Sequence, residues 1–540
     1  MRFSLVFSEA AHYFRMARGL REMIRLPLAS DPEAVLREQM ENRAGRFLGA
    51  LRQIVFANPQ HPYFKMFEEA QCSFDDLNHL VLSRGLEPAL EALRQAGVWL
   101  SHDEFKGKEP IVRNGRHIAA DTASFQNPLA PGVLEICSSG SSGASTQAPA
   151  SLLFRAHRNC YESLTFREFD RANWRWITLS PILPAPWGLS RPVLAHKLGV
   201  KAEHWYAAGG HLRDSGHYRA VTRFLVAEAR WLGVPMPPLS FLPPNDFTPA
   251  AEDIARARSR GRRTFVTGVA GSCVRVAAAA LERGLDISGT RFYTAGEALT
   301  DAKAEVVRRA GAEAFATYWV SELGQVGASC SQIGGANRVH LFHDAVAAIT
   351  HRRKAPGTDV EVDSMLFTSL LPFAPFFVIN LEPGDHGVLR PASCNCEFSR
   401  FGFTAVISDI YSYTKLTGHG TTLVGTDILR ILEEALPARF GGSPGDYQLV
   451  EQEAGTETRM VLRVNPQIGK VPAAEIRDFF LSEIRKLFGG ALTSRTWIHA
   501  ASVEVLLEAP IIGRTGKILP LHLLGPDHAA RVRPGVVHAP

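Results

Sequence analysis

The clearest pattern in this chain of 540 residues begins at Thr264-Phe265-Val266-Thr267-Gly268-Val269, a run of β-branched and aromatic residues typical of a buried strand. A helical pattern leads through Ala277 to Arg283, and a second strand-like run follows at Arg291-Phe292-Tyr293-Thr294. Another helical pattern then leads to Ala314-Phe315-Ala316-Thr317-Tyr318. Strands that alternate with helices in this way form a parallel sheet, because each helix carries the chain back to the same end of the sheet. We therefore predict an α/β core over residues 264–325.

The segments on either side of this core have different patterns. Residues 8–100 are mostly helical, with charged and apolar residues at three- to four-residue spacing. The last 120 residues combine strand patterns at 447–451, 459–464 and 501–505 with an amphipathic helix from Ala473 to Leu487, which predicts a small α+β domain. The predicted divisions are a helical N-terminal part of the large domain (1–127), the core (128–410), a hinge (411–425) and a small, mobile C-terminal domain (426–540).

The composition excludes several classes of protein. With 46% hydrophobic and 21% charged residues the chain can fill a core and is not a disordered scaffold. A net charge of +5 is too small for a chain of this size to imply nucleic-acid binding. The sequence contains no uninterrupted apolar stretch of about 18 residues, so we predict no membrane span. Seven cysteines are too few for a disulfide framework, and the N-terminus lacks the apolar segment of a secretory signal. We therefore expect a cytoplasmic protein.

A tract of small residues follows the short apolar run Val133-Leu134-Glu135-Ile136-Cys137. The tract reads Ser138, Ser139, Gly140, Ser141, Ser142 and Gly143. After a strand, such a loop can surround a phosphate with backbone N–H groups and hydroxyls. It is not a Walker A loop, because no Gly-Lys-Ser/Thr follows it. A flexible linker is the alternative.

Two further segments follow predicted strands, at the sheet edge where α/β proteins bind ligands. Gly296-Glu297 comes after the second strand, and Tyr318 to Glu322 after the third. An aromatic ring at this edge can stack on a base, and a carboxylate can hold a divalent ion. Taken singly, Tyr318 is explained better by ordinary core packing, and Glu322 is explained better by the dipole of a helix N-terminus.

Two charged residues further along the chain suit a nucleotide. Asp385, in the turn that begins at Asn380, could accept hydrogen bonds from the vicinal hydroxyls of a ribose, although turn aspartates are common. Lys517 lies on a glycine-containing loop near the end of the small domain. A cation presented in this way suits negative charge that develops on a phosphate, whereas most lysines are merely solvated.

The order of these pieces resembles the adenylate-forming superfamily of acyl-CoA synthetases, and within it most of all the phenylacetate-CoA ligase and acyl-protein synthetase branch. The resemblance covers residues 130–525 and implies a large α/β domain with mixed and parallel sheets, followed by a small α+β domain. It implies a phosphate loop at 138–143, nucleotide contacts from Gly296, Glu297 and Tyr318, a ribose-binding Asp385, a hinge motif that contains Lys415 and an adenylation lysine at Lys517.

The resemblance also implies a reaction in two steps. A carboxylate attacks the α-phosphorus of ATP to give acyl-AMP and pyrophosphate, and the thiol of CoA or of carrier phosphopantetheine then takes the acyl group. Glu322 would help to hold Mg²⁺, and Lys517 would bridge the reacting oxygens. The substrate would be a small-molecule carboxylic acid, with an acyl carrier protein and a homodimer left open as partners. An amine acceptor and a nucleotide-binding protein without catalysis are the alternatives.

Two departures from the family pattern concern the phosphate loop and the hinge. The loop continues Gln147-Ala148-Pro149, without the Pro-Lys often found in the family, which weakens the expectation for pyrophosphate binding. The hinge keeps Lys415-Leu416-Thr417-Gly418, but the expected arginine upstream of it is missing. The expectation for domain rotation, and for thioester formation most of all, is weaker for this reason.

Three cysteines and a histidine form a separate constellation. Cys330, His340, Cys394 and Cys396 offer the thiolate and imidazole ligands of tetrahedral Zn²⁺. Some members of the resembled branch carry a zinc site in this region, with a histidine followed downstream by Cys-x-Cys. His343 competes with His340 for the role, and an accidental grouping of reduced cysteines is the alternative. Four protein ligands would leave no open position, so that such a zinc would be structural.

Overall fold

The computed structural model describes residues 2–130, 134–137, 147–183, 187–208, 216–242, 246–296, 299, 301–354, 361–412, 415–418, 421–424, 431–441, 446–454, 457–486, 503–508 and 521–524. Apart from short 3₁₀ and π turns, the helices are α1 (Arg2–Arg25), α2 (Pro32–Glu41), α3 (Arg43–Leu51), α4 (Pro62–Glu69), α5 (Phe74–Arg84), α6 (Leu86–Gln95), α7 (His102–Phe105), α8 (Leu152–Glu168), α9 (Trp187–Lys197), α10 (Gly216–Trp231), α11 (Thr248–Ser259), α12 (Ala270–Arg283), α13 (Asp301–Arg309), α14 (Glu397–Arg400), α15 (Leu436–Phe440) and α16 (Ala473–Lys486).

The strands are β1 (Leu100–Ser101), β2 (Ile111–Arg113), β3 (Arg116–Ile118), β4 (Leu134–Cys137), β5 (Gln147–Ala150), β6 (Arg175–Leu179), β7 (Ala202–Ala208), β8 (Leu239–Leu242), β9 (Thr264–Val269), β10 (Arg291–Ala295), β11 (Glu313–Val320), β12 (Gly324–Ala328), β13 (Arg338–Leu341), β14 (Val346–Lys354), β15 (Glu361–Ser369), β16 (Leu381–Glu382), β17 (Asp385–Pro391), β18 (Ala405–Ser412), β19 (Lys415–Gly418), β20 (Thr421–Val424), β21 (Tyr447–Ala454), β22 (Glu457–Val464), β23 (Val503–Leu506) and β24 (Leu521–Leu524).

A mixed sheet of 14 strands dominates the large part of the molecule. Its order is β1-β16-β15-β17-β18-β13-β12-β11-β10-β9-β6-β7-β8, and β14 pairs with β15. From β11 to β8 all neighbouring strands are parallel, whereas from β11 to β15 they are antiparallel. The prediction of an α/β protein with a mixed and partly parallel sheet is confirmed.

The predicted alternation over residues 264–325 is confirmed as β9, α12, β10, α13 and β11. Tyr293 of β10 lies in register with Thr267 of β9 and with Phe315 of β11. These strands have nearly continuous apolar runs because helices cover both faces of this half of the sheet. One hydrophobic cluster packs under α11, α12 and α13, and another packs under α1, α9 and α10.

The side chains of β7 illustrate this two-sided burial. Trp205 and Ala207 belong to the cluster under α1, α9 and α10, whereas Tyr206 between them belongs to the opposite cluster. Successive residues of a strand point to opposite faces, so each face of β7 receives apolar side chains. Both faces of the sheet are therefore covered by helices at this strand.

The N-terminal helices pack against the antiparallel half of the sheet. The Tyr63 hydroxyl on α4 donates a hydrogen bond to the Ile379 carbonyl at 2.8 Å. The Asn380 side-chain amide donates to the carbonyls of Leu90 and Val98 at 2.8 and 3.1 Å. The structure is mostly helical over residues 2–127, as the sequence predicts, but β1 adds a strand beside β16 at the edge of the large sheet.

The C-terminal unit is a four-stranded sheet in the order β23-β22-β21-β24, covered by α16. Ile476, Phe480 and Ile484 recur every fourth residue of α16 and are fully buried. They form one stripe that packs on Leu449 and Leu462 of β21 and β22. The unit has the predicted α+β composition, although Leu487 lies outside the described residues.

The segment predicted as a hinge contains a short antiparallel hairpin. Lys415 of β19 lies opposite Val424 of β20, and Gly418 lies opposite Thr421. The division of the chain at 411–425 stays a prediction. Within the described ranges, no helix combines the length and the apolarity that are needed to cross a bilayer.

Candidate functional site

The order of the parallel strands reverses between β6 and β9. From β6 the chain proceeds outward to β7 and β8, whereas from β9 it proceeds in the opposite direction to β10 and β11. At such a reversal the connecting helices leave on opposite faces, so a crevice opens at the carboxyl ends of the two strands. In the register of β6 and β9, Leu179 lies opposite Gly268 at this end.

Gly268 is required at this position by the close approach of its neighbours. A Cβ atom there would lie 2.6 Å from the Leu179 carbonyl oxygen and 3.0 Å from the Cys273 sulfur. Gly296, just beyond the end of β10, has a φ of +85°, a conformation that L-residues rarely adopt. It lies at the same sheet edge as Gly268, as predicted from its place after a strand. Its neighbour Glu297 lies outside the described residues.

Tyr318 and Asp385, predicted separately to contact a nucleotide, lie in direct contact. The Tyr318 hydroxyl, near the carboxyl end of β11, donates a hydrogen bond to the Asp385 carboxylate at 2.8 Å. Both residues are buried, at 9% and 8% exposure. The ring of Tyr318 also packs against that of Phe367, with 6.0 Å between centroids. The structure thus joins two residues 67 positions apart into one polar pair.

Glu322 lies in the turn between β11 and β12 and forms a buried ion pair. The Lys106 ammonium lies 2.6 Å from its Oε1 atom, and the two side chains are only 8% and 5% exposed. Lys106 follows the short helix α7 and is 216 positions away in sequence. Sequence reasoning missed Lys106, because no spacing or motif connects two residues so far apart.

The remaining predicted nucleotide residues are only partly described. Ser138, Ser139, Gly140, Ser141, Ser142, Gly143 and Lys517 lie outside the described residues. The strands that flank the serine and glycine tract pair antiparallel, with Cys137 opposite Gln147, so the chain leaves β4 and enters β5 at neighbouring positions. Lys415 is described only as a backbone position in β19.

The four predicted metal ligands lie together. The ligand atoms of Cys330, His340, Cys394 and Cys396 all lie within 4.8 Å of one another. The His340 Nε2 atom lies 3.4, 3.2 and 3.4 Å from the three sulfurs in that order. Sulfur–sulfur distances are 3.7 Å between Cys330 and Cys394 and 3.8 Å between Cys394 and Cys396. His343, the competing ligand, is not a member of this cluster.

The local hydrogen bonds prepare these four groups to act as ligands. Since a carbonyl can only accept, the contact of 2.8 Å between His340 Nδ1 and the Phe403 oxygen assigns the proton to Nδ1. The lone pair of Nε2 then faces the sulfurs. A hydrogen bond with Cys330 lowers the pKa of Cys396, and the backbone N–H of Ser399 also donates to the Cys396 sulfur. These contacts favour the thiolate form of Cys396.

No protein-family model and no curated protein matches this sequence. Solved structures with similarity to it include a 2-hydroxyisobutyryl-CoA ligase in an open conformation with 2-HIB-AMP and CoA, at 12% identity over 82% of this chain and 90% of that chain (TM-score 0.38). An NRPS protein containing adenylation and PCP domains has 13% identity over 87% and 94% (TM-score 0.34). An acyl-CoA synthetase (AMP-forming)/AMP-acid ligase II-like protein from Dyadobacter fermentans has 12% identity over 71% and 87% (TM-score 0.27). At these TM-scores the similarity assigns neither a family nor an activity.

Proposed function

We propose that this protein activates a carboxylic acid with ATP through an acyl-adenylate and transfers the acyl group to the thiol of CoA or of a carrier protein. The contact between Tyr318 and Asp385 carries the proposal. It joins the residue expected at the base to the residue expected at the ribose, in the sheet whose strand order reverses between β6 and β9. A nucleotide bound there would extend over the carboxyl ends of β9, β10 and β11.

The chemistry requires positioning and charge neutralisation rather than a covalent nucleophile. The substrate carboxylate attacks the α-phosphorus of ATP, the bond to the β-phosphate oxygen breaks, and pyrophosphate leaves. The thiol then attacks the acyl carbon and AMP leaves. In this proposal the 138–143 tract holds the leaving phosphates, Asp385 holds the ribose hydroxyls, and Lys517 neutralises charge on the reacting oxygens. Gly296, Glu297 and Lys415 complete the nucleotide contacts and the hinge.

A magnesium ion bound directly by Glu322 does not fit the arrangement of this site. The Lys106 ammonium already neutralises the Glu322 carboxylate, and Mg²⁺ prefers several free oxygens in octahedral geometry. Glu322 is therefore the partner of Lys106 in this arrangement and not a direct ligand of magnesium.

A structural zinc ion fits the cluster of Cys330, His340, Cys394 and Cys396. Tetrahedral ligands at the usual Zn–S distance stand roughly 3.8 Å apart, and the sulfur–sulfur distances here are 3.7 and 3.8 Å. Zinc content by mass spectrometry of the purified protein tests this proposal. We expect about one zinc per chain, lost in Cys394→Ser and retained in Cys72→Ser, which changes a cysteine outside the cluster. Equal metal content in the two variants contradicts it.

Pyrophosphate release in the presence of ATP and a panel of carboxylic acids tests the proposed activity. We expect release with at least one acid, trapping of the activated acid as a hydroxamate, and loss of both signals in Lys517→Ala. Tyr318→Phe should weaken ATP binding, since it removes the hydrogen bond that orients Asp385. Binding of ATP without release for any acid favours a non-catalytic nucleotide-binding protein. Release with transfer to amines alone favours an amide-forming ligase.

A further inference from the structure

A narrow cleft that opens to solvent lies between α8 and α9 beside Met23 of α1. Four of the side chains in its wall are cationic: Arg155, Arg158, Arg191 and Lys197. Among the described residues that line it, Glu162 is the single carboxylate. The wall therefore carries an excess of three positive charges.

The single carboxylate is already engaged. Glu162 Oε1 lies 2.5 Å from Arg191 Nη1, and Oε2 lies 3.6 Å from Arg171 Nη1; all three side chains are buried. Lys197 donates to the carbonyls of Ile24 and Leu26 at the end of α1. Among the described residues, no carboxylate or carbonyl remains within hydrogen-bond distance of the guanidinium groups of Arg155 and Arg158.

Holding these guanidinium groups together is electrostatically unfavourable. Burial, followed by repulsion from Arg191, lowers the pKa of Arg155 to about 10. Burial, followed by repulsion from Arg155 and Arg191, lowers the pKa of Arg158 further. Charged groups removed from water are ordinarily paired with opposite charge. An anion in the cleft would supply that partner, and guanidinium groups match carboxylate and phosphate oxygens in pairs.

The cleft also adjoins the candidate nucleotide site. The Arg158 guanidinium lies 4.3 Å above the ring of Trp319, whose edge contacts Trp187 of α9. Trp319 follows Tyr318 on β11, at a point where the pairing of β11 with β12 is irregular. The cleft therefore reaches the strand that also carries Tyr318 of the candidate nucleotide site.

We propose that the cleft between α8 and α9 is a binding site for an oxyanion, a carboxylate or phosphate group of a small molecule, held by Arg155, Arg158 and Arg191. The site does not depend on acyl-adenylate chemistry. If the chain also activates an acid, the anion is either a second acidic group of that acid or a phosphate of the acceptor, because both present oxygens of the same chemistry.

Thermal unfolding of the full chain tests the site, with sodium phosphate or sodium glutarate added at constant ionic strength. Glutaramide, which has the carbon chain of glutarate but no carboxylate, serves as the matched control ligand and should not change the melting temperature. We expect one of the two anions to raise the melting temperature of the wild type in a saturable way. Arg158→Gln and Arg155→Gln should weaken that binding at least tenfold, Arg158→Lys should weaken it less, and the exposed Arg37→Gln should leave it unchanged.

The variants without ligand separate a binding role from a structural one. Removing one of the repelling cations should leave the melting temperature without anion unchanged or higher. If the melting temperature of Arg158→Gln is lower than that of the wild type by the same amount with and without anion, Arg158 is a structural stacking residue and the proposal is overturned. The proposal is also overturned if neither anion stabilises the wild type in a saturable way. Stabilisation by glutarate alone identifies a diacid, and stabilisation by phosphate alone identifies a phosphate group. Neither readout requires ATP or turnover, so failure of the proposed function would leave it intact.

Discussion

Individual side chains control how charge is distributed around the site. The buried pair of Lys106 and Glu322 and the polar pair of Tyr318 and Asp385 are each made from residues far apart in sequence. Glu322, Tyr318 and Asp385 were predictable as chemically suited residues from their places after strands or in a turn. Which residues pair with one another was not predictable, because a contact across the fold leaves no trace in local spacing. Lys106 in particular changes what Glu322 can do, since it neutralises the carboxylate.

The ion pair of Lys106 with Glu322 yields a prediction for stability. Lys106→Met should lower the free energy of unfolding by about 3 kcal/mol, because it removes the ammonium that lies 2.6 Å from the buried Glu322 carboxylate. Adding Glu322→Gln to the same chain should recover most of that loss. Equilibrium unfolding in urea measures both effects. Lys108→Met, at a more exposed lysine, is the matched control and should change stability by less than about 0.5 kcal/mol. Additive losses in the double variant would contradict the prediction.

His61 yields a prediction for the dependence of stability on pH. Burial lowers its pKa from 6.5 to about 4, so between these values the unfolded chain binds a proton that the folded chain does not. The free energy of unfolding should therefore fall as the pH is lowered, by about 2 kcal/mol between pH 7 and pH 5 from this group. His61→Asn keeps a side-chain acceptor for the Tyr63 N–H and removes the titration. If the free energy of unfolding changes equally in the wild type and in His61→Asn between pH 7 and pH 5, the assignment of this pH dependence to His61 is refuted.

Among the elements, the parallel strands are explained by their own sequences. The runs at 264–269, 291–295 and 313–320 are short, apolar and separated by helices, so their type and direction follow from pattern alone. Their order in the sheet does not. The reversal between β6 and β9 brings Leu179 against Gly268, although α9, α10 and α11 lie between them in sequence. That pairing is a property of the assembled sheet rather than of either strand.

The contact between β6 and β9 yields a prediction for Gly268. Gly268→Ala should lower the free energy of unfolding by about 2 kcal/mol, because its Cβ would lie 2.6 Å from a backbone oxygen that cannot move aside cheaply. Gly45→Ala in α3 is the matched control. It has no neighbour within 4 Å of a built Cβ and should gain about 0.5–1 kcal/mol from helix propensity. Equal effects of the two substitutions, measured by thermal unfolding, would count against the close approach.

Across the molecule as a whole, the hydrophobic clusters of the large sheet and of the C-terminal unit are separate. Among the described residues, the clusters of the large part end at Ile410, whereas the C-terminal cluster begins at Ile431. A change of pattern along the chain predicts the same two groups of elements. The hinge that would let the two units rearrange stays a prediction, since the described backbone at 415–418 and 421–424 is a hairpin.

The separate clusters yield a prediction for a shortened chain. A chain of residues 1–424 should unfold cooperatively, because the clusters of the large sheet draw no described residue from beyond 424. Under the proposed function it should bind ATP but release no pyrophosphate, since Lys517 is absent. Circular dichroism during heating and a nucleotide-binding assay measure the two properties. A chain that is unfolded at 25 °C would show that the large part needs the C-terminal unit.

The types of element, the parallel direction of β9, β10 and β11, the α+β character of the C-terminal unit and the residues chemically suited to a nucleotide or a metal can all be inferred from the chain alone. They depend on local periodicity and side-chain chemistry, which are present in any stretch of sequence. The assembled fold was needed to show that Tyr318 meets Asp385, that Lys106 neutralises Glu322, and that arginines of α8 and α9 converge on one cleft. Such contacts join residues through the packing of distant elements, and a buried charge acquires its partner only when the whole fold has formed.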